Sequence, residues 1–209
     1  MKVMLINGSP HPQGNTFLAL EEMRKIFAAE DIETEMVHVG NKALRGCIAC
    51  WSCAVKKQCV FDDLVNETAP IFKESDGIVI GSPVYYASAN GTLISYLDRL
   101  FCSTHMGQCF DKTMKVGASV VIARRGGLSA TFDELNKYFT MNNMPVASSQ
   151  YWNSVHGREQ GEAVKDDEGM QTMRTLARNM VFLMKSIALG REKYGLPEKE
   201  EWIPTHFIR

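Results

Sequence analysis

The sequence lacks both a long hydrophobic run and an excess of charge of one sign. None of its apolar stretches approaches the roughly 18 residues that cross a membrane. The segment MKVMLINGSP has too short an apolar run for a signal peptide and predicts a first strand instead. With 23 Lys and Arg against 24 Asp and Glu, the formal net charge is −1. No electrostatic case exists for a nucleic acid or membrane partner, and we expect a cytoplasmic protein.

Two nucleotide-binding signatures are also missing from the loop at residues 8–16, GSPHPQGNT. Asn15 stands where a Walker A loop has its lysine, which argues against an Mg-bound triphosphate. The loop is not G-x-G-x-x-G either, which argues against a buried pyrophosphate. Gly8, Gly14 and small hydroxyl groups before a helix suit a phosphate monoester such as that of FMN. An ordinary Gly/Pro turn would be the simpler interpretation of this loop taken alone.

The chain shows no internal repeat and no linker that would divide it, and strands alternate with helices throughout. Five strands at 2–7, 33–39, 77–81, 115–123 and 144–147 predict a doubly wound parallel sheet of order 2-1-3-4-5 with helices on both faces. Asn15 or Thr16 is the expected N-cap of the first helix, and Gly190 ends a last helix begun near residue 166. We expect one domain over 1–209, with a cysteine-rich insertion at about 41–62 and a tail at about 191–209 that packs on a surface or a partner subunit.

In a parallel sheet of this order, ligands bind where the strand order reverses, between the first and third strands. The loops there are 8–16 and 82–90, and Pro83 stiffens the second one. Tyr85 and Tyr86 offer flat surfaces for a planar ring. After the fourth strand, Arg124 and Arg125 precede two glycines and bring positive charge near an anionic reduced flavin. A solvated turn is the alternative for this last segment.

Four thiols, Cys47, Cys50, Cys53 and Cys59, are spaced C-x2-C-x2-C-x5-C. The first three follow the rhythm of ferredoxin-type [4Fe–4S] ligation, although no proline follows the fourth. Structural zinc fits less well because its ligand pairs are usually further apart, and a disulfide fits poorly in a reducing compartment. Cys102 and Cys109 stand apart from this run and are interpreted as buried or idle thiols.

Together these motifs resemble the flavodoxin-like NAD(P)H-dependent FMN reductases, and within them the iron–sulfur flavoproteins. The resemblance runs from GSPHPQGNT through CIACWSCAVKKQCVFDDL, DGIVIGSPVYYASANGTLISYLDR and ARRGG to WIPTHFIR. It implies that the FMN phosphate is held by Ser9, His11, Asn15 and Thr16, and the isoalloxazine by Pro83, Val84, Tyr85, Tyr86, Arg124, Arg125 and Gly126. Many relatives have arginine where His11 stands. The four cysteines match the cluster ligands of the iron–sulfur flavoproteins one for one.

The resemblance implies hydride transfer from NAD(P)H to FMN and onward transfer to a quinone, flavin or other small aromatic acceptor. The alternative is an electron carrier that relays single electrons between ferredoxin and FMN through a [4Fe–4S] cluster, and a non-enzymatic FMN or thiol sensor is a third class. A homodimer or homotetramer is expected. The loop 151–157 would close over the flavin from a neighbouring subunit, with His156 as a proton donor or ring contact. Asp98 and Arg99 are expected to form an ion-pairing surface.

Overall fold

The protein forms a twisted parallel sheet, which a computed structural model describes for residues 1–201, 203, 205 and 207. Five strands pair in parallel in the spatial order β2-β1-β3-β5-β6, and the short β4 pairs antiparallel with β3. Counted without β4, this is the predicted order 2-1-3-4-5, which is thereby confirmed. The strands are β1 Lys2–Asn7, β2 Glu33–His38, β3 Gly77–Tyr85, β4 Ser88–Ala89, β5 Val116–Ala123 and β6 Ser154–His156.

Helices cover both faces of the sheet, so the central strands are buried on both sides and read as nearly continuous apolar runs. Successive residues of β1 point to opposite layers: Val3 and Leu5 pack with α1 and α6, whereas Met4 and Ile6 pack with α3, α4 and α5. The helices are α1 Asn15–Ala29, α2 Ser52–Lys56, α3 Leu64–Glu74, α4 Gly91–Met106, α5 Leu128–Thr140 and α6 Asp167–Tyr194, with a 3-10 turn at Glu162–Lys165.

The fifth parallel strand is not where the sequence pattern placed it. Residues 144–147 make only an isolated bridge, between Val146 and Gly117. Ser154–His156, expected to be loop, pairs with the end of β5 instead. Both segments are short, and only Val155 of the second is fully buried, so local apolar content could not distinguish them.

The helix ends also differ from the predictions at two places. The N-cap of α1 is Gly14, without a side-chain cap, so Asn15 is the first helical residue. Helix α6 continues through Gly190 and ends at Tyr194, and its C-cap Gly195 has a φ of 75° that suits glycine. One glycine costs a helix only about 1 kcal/mol, and strong helix formers such as Arg191 surround it. Trp202 and Pro204, in the tail expected to pack on a surface, lie outside the described residues.

None of the described helices combines the length and the apolar character that a membrane span requires.

Candidate active site

A cavity of about 440 Å³ opens at the carboxyl ends of β1, β3 and β5. This volume is in the range of small-molecule sites. Residues 157–160, after β6, form a further wall that the sequence analysis did not include, because its strand was placed elsewhere. Tyr86, Arg125 and Gly126 are not among the lining residues. The cavity does bring together nine of the twelve residues proposed for cofactor binding: Ser9, His11, Gly14, Asn15, Thr16, Pro83, Val84, Tyr85 and Arg124.

The loop between β1 and α1 is folded so that the amino terminus of α1 faces the cavity. The His11 amide donates to the Ser9 hydroxyl at 3.2 Å, and the Gly14 amide donates to the His11 carbonyl at 3.1 Å. Within the described part of the chain, the backbone amides of Asn15, Thr16 and Phe17, in the first turn of α1, have no acceptor. Unpaired amides and the helix dipole together favour an anion such as a phosphate.

The end of β2 supports this loop from behind. His38 Nε2 lies 2.8 Å from the Ser9 carbonyl oxygen. A Cβ atom on Gly40 would lie only 2.1 Å from the Ser9 carbonyl carbon. Glycine at position 40 therefore allows two backbone segments to touch and fixes the position of the loop at residues 8–16.

The Asn15 side chain is engaged by the protein itself. Its amide nitrogen donates to the Glu159 carbonyl at 2.9 Å, and its oxygen accepts from the Gly161 and Ala163 amides at 3.1 Å each. Asn15 thus joins the start of α1 to the segment after β6. The Asn15 side chain therefore positions the segment after β6, and only the Asn15 backbone amide remains available to bind an anion.

The β3–β4 hairpin carries the tyrosine pair and turns in an unusual way. Tyr86 and Ala87 have φ of 51° and 60°, the left-handed region that a two-residue type I′ hairpin requires. Asn and Gly are the usual residues there, and the Tyr86 side chain is fully exposed. The Glu134 carboxylate of α5 fixes the hairpin by accepting from the Ser88 hydroxyl and the Ala89 amide, both at 2.9 Å.

The loop after β5 contacts the same hairpin. Gly127 has φ of 86°, and a Cβ there would lie 2.8 Å from the Ala87 Cα. Arg124 is exposed at the cavity edge, where its charge is available to an anionic ligand. Partial burial raises the pKa of the Tyr85 phenol, so this ring carries no charge at neutral pH.

His156 lies outside the residues that line the cavity, at the end of β6. Its Nδ1 is 3.3 Å from Asp166 Oδ2, and its backbone amide donates to the same oxygen at 2.6 Å. Asp166 also caps α6 by accepting from the Gly169 amide. Burial alone would raise the pKa of Asp166, but these donors outweigh it and lower the pKa. His156 is thus held by the cap of α6.

All four cysteines of the run line a second pocket, of about 90 Å³. Cys102 of α4 lines it too, although its isolation in sequence had suggested an idle thiol. Burial, together with the nearby thiols of Cys47 and Cys53, raises the pKa of Cys102 to about 11. The remaining walls are largely apolar and include Ile48, Trp51, Val60 and Phe61.

The backbone of the cysteine segment is strained. Ala49, Trp51 and Lys57 have φ of 50°, 56° and 59°. A non-glycine residue in this region costs roughly 1–2 kcal/mol. Such conformations persist where the surrounding structure fixes them, and they occur often at ligand sites. Here two of them alternate with the cysteines and help turn the thiols toward one pocket.

Arg99 is buried, with 1% of its surface exposed, and does not belong to an ion-pairing surface as expected. Its guanidinium binds both oxygens of Asp63 at 2.8 Å and donates two bonds of 3.3 Å to the Cys59 sulfur. Burial alone would lower the pKa of Arg99, but the bonds to Asp63 and Cys59 outweigh it and raise the pKa. Asp98 does lie at the surface and accepts from the Tyr138 hydroxyl.

The described residues contain no group of three or more His, Cys, Asp or Glu side chains arranged around a single metal ion. A four-iron cluster makes a different demand, since it spreads four thiolates over four metal atoms. Four thiols on one apolar pocket, with N–H donors to the Cys59 sulfur, fit such a cluster in number and in chemistry.

The strand order, the anion-binding helix terminus and the tyrosine-lined cavity define a flavin-binding protein with a flavodoxin-like fold. A flavodoxin from the domain Archaea superposes with a TM-score of 0.57 at 13% identity, covering 88% of this chain and 99% of that chain. The sequence model of the family described as NADPH-dependent FMN reductase matches residues 1–159. The chain belongs to this family, and it is a flavoprotein oxidoreductase with FMN as cofactor.

Two relatives from archaea match nearly the whole length. An iron-sulfur flavoprotein of Methanocaldococcus jannaschii is 34% identical over 194 residues, covering 90% of this chain and 99% of the relative. An iron-sulfur flavoprotein of Methanosarcina thermophila is 26% identical over 195 residues, covering 92% of this chain and all of the relative. Similarity therefore extends through the cysteine segment as well as the flavin loops.

Proposed function

We propose that this protein is an FMN-dependent oxidoreductase that binds a [4Fe–4S] cluster at Cys47, Cys50, Cys53 and Cys59 and exchanges electrons between the cluster and FMN. The observation that carries this proposal is the convergence of the four thiols on one pocket beside the Arg99 guanidinium. The names of the similar archaeal proteins support it.

Each group has a defined set of residues in this proposal. When bound, FMN accepts and releases electron pairs or single electrons, and a [4Fe–4S] cluster carries single electrons. The first-turn amides of α1 and the Thr16 hydroxyl bind the phosphate. Val84, Tyr85 and Arg124 position the ring and balance its charge. Arg99 would hold the Cys59 sulfur through its two hydrogen bonds, and the apolar walls of the cysteine pocket would exclude water.

Helix α4 connects the two sites within one chain. It begins directly after the β3–β4 hairpin, and its residues Arg99 and Cys102 line the cysteine pocket. Arg99 lies nine positions after Asn90, the N-cap, which corresponds to about 14 Å along a helix. A homodimer or homotetramer, in which the cysteine pocket of one subunit faces the flavin of another, would shorten this path. Size-exclusion chromatography with light scattering tests the oligomeric state.

A second candidate is direct reduction of FMN by NAD(P)H, with transfer to a quinone, flavin or other small aromatic acceptor. The family match and the exposed tyrosine edge of an open cavity favour it. In this case a nicotinamide would enter the cavity beside Tyr85, and FMN, when bound there, would supply the acceptor for its hydride.

An anaerobic experiment distinguishes the two candidates. We expect the purified protein to contain iron and acid-labile sulfide, and its FMN to be reduced faster by reduced ferredoxin than by NADH or NADPH. Rapid bleaching of the flavin by a nicotinamide, in protein without iron, would support the second candidate and reject the first.

A further inference from the structure

Cys102 is a fifth thiol in a pocket for which four suffice. It lies on α4, one turn beyond Arg99, and is half buried. It lines the same pocket as Cys47 and Cys53, close enough for their thiols to raise its pKa. Cys109, which follows the same helix, is not among the lining residues and donates to the Lys57 carbonyl.

The five thiols differ in how firmly they are held. Cys53 is buried in α2, and the Cys59 sulfur receives two bonds from Arg99. Cys47 and Cys50 are both exposed and lie in a non-helical segment. Cys47 is thus the neighbour of Cys102 that is more accessible to oxidants and alkylating agents. Cys102 offers a second sulfur beside it from a rigid helix.

We propose that Cys102 is a reserve ligand of the cluster that takes the place of Cys47. This inference rests on the proposed cluster. In the exchange an iron–sulfur bond to Cys102 forms and the bond to Cys47 breaks. Cys102 gives up its thiol proton and Cys47 gains one, so no electron is transferred and four thiolates remain bound. The cluster is thereby retained when Cys47 is chemically modified.

The test compares the iron and acid-labile sulfide content of full-length variants reconstituted anaerobically. We expect Cys47→Ala to keep iron close to the wild-type content, whereas Cys47→Ala with Cys102→Ala loses it at least threefold. The matched control, Cys47→Ala with Cys109→Ser, keeps its iron because Cys109 lies outside the pocket and serine preserves its hydrogen bond. In iron-loaded Cys47→Ala, Cys102 resists iodoacetamide until the iron is removed.

Equal iron content in Cys47→Ala and in the double variant with Cys102→Ala would overturn the reserve-ligand role while leaving the four-cysteine cluster intact. Wild-type protein that takes up no iron would overturn the cluster and the reserve ligand together. FMN content and far-UV circular dichroism identify a misfolded variant. In that case Cys102→Ser replaces Cys102→Ala in the double variant, and the same comparison decides.

Discussion

At the scale of single residues, the backbone of Ala87 is strained in the β3–β4 hairpin. Its φ of 60° costs an alanine roughly 1–2 kcal/mol, whereas glycine adopts this conformation freely. We expect Ala87→Gly to raise the free energy of unfolding by about 0.5–1 kcal/mol, because the relief exceeds the greater entropy that glycine gives the unfolded chain. Urea denaturation of the FMN-free protein measures this.

The control for that substitution is Ala188→Gly, at an exposed position within α6. There the same change removes a good helix former and should lower the free energy of unfolding by about 1 kcal/mol. If both substitutions destabilise equally, the Ala87 turn is not strained, and the left-handed conformation does not restrict the hairpin.

Lys112 gives the protein a pH-dependent stability. It is 5% exposed, and burial lowers its pKa to about 8 despite nearby Cys109 and Asp111. Below pH 8 both the folded and unfolded states carry the charge, so the burial penalty is complete. Between pH 8 and 10.5 the unfolded state binds more protons, and stability rises with pH. The gain is roughly 3 kcal/mol at most.

We expect Lys112→Met to stabilise the protein by about 1–2 kcal/mol at pH 7, after loss of the cation–π contact with Phe110. Denaturation at several pH values from 7 to 10 should show a flatter profile. Lys115 is the contrasting case, because its amine donates to the carbonyl oxygens of Lys73 and Ser75. Lys115→Met should therefore destabilise, and stabilisation by both substitutions would contradict this account.

At the scale of elements, Arg99 ties α4 to the start of α3 and to the cysteine segment. Asp63, its partner, also caps α3 by accepting from the Val65 amide. Arg99→Met leaves a partly buried carboxylate unpaired, and we expect a loss of about 3–5 kcal/mol. Arg99→Lys keeps the charge but not the two-pronged geometry, so iron content should fall with a smaller loss of stability.

Urea denaturation and iron analysis measure the two effects of the Arg99 variants. The control is Arg174→Met, which breaks the surface ion pair with Glu22 and should cost less than 1 kcal/mol. A denaturation midpoint for Arg99→Met equal to that of the control would show that the Asp63 pair does not support the cysteine pocket.

The elements also show where sequence patterns are informative. Buried strands such as Val116–Ala123 have a long apolar run and were predicted within a residue or so. Ser154–His156 has only three residues and one buried side chain, so its pairing depends on the neighbouring β5. Likewise, the continuation of α6 through Gly190 depends on the residues around the glycine. Tertiary contacts decide such cases, and a local window does not contain them.

For the molecule as a whole, the strand order was predictable because alternating strands and helices permit few topologies. That order also predicted which loops meet at the cavity. The burial of Arg99 and the arrival of Cys102 at the cysteine pocket were not predictable. Both residues come from α4, which begins 32 positions after Cys59, the last cysteine of the run, and their contacts depend on how α4 packs.

FMN binding is coupled to the stability of the whole fold, since a ligand that binds only the folded state stabilises it by about 2.7 kcal/mol at a hundredfold excess over Kd. Thr16 is buried at the start of α1 and lines the cavity. Thr16→Val keeps its shape but removes the hydroxyl, and we expect FMN affinity to fall about tenfold. The stabilisation by a fixed FMN concentration then falls by about 1.4 kcal/mol.

Thr104→Val is the control, because the equally buried Thr104 hydroxyl bonds only within α4. It should lower the stability of the FMN-free protein without changing the increment from FMN. An unchanged increment in Thr16→Val, measured by denaturation with and without FMN, would exclude a hydrogen bond from the Thr16 hydroxyl to FMN.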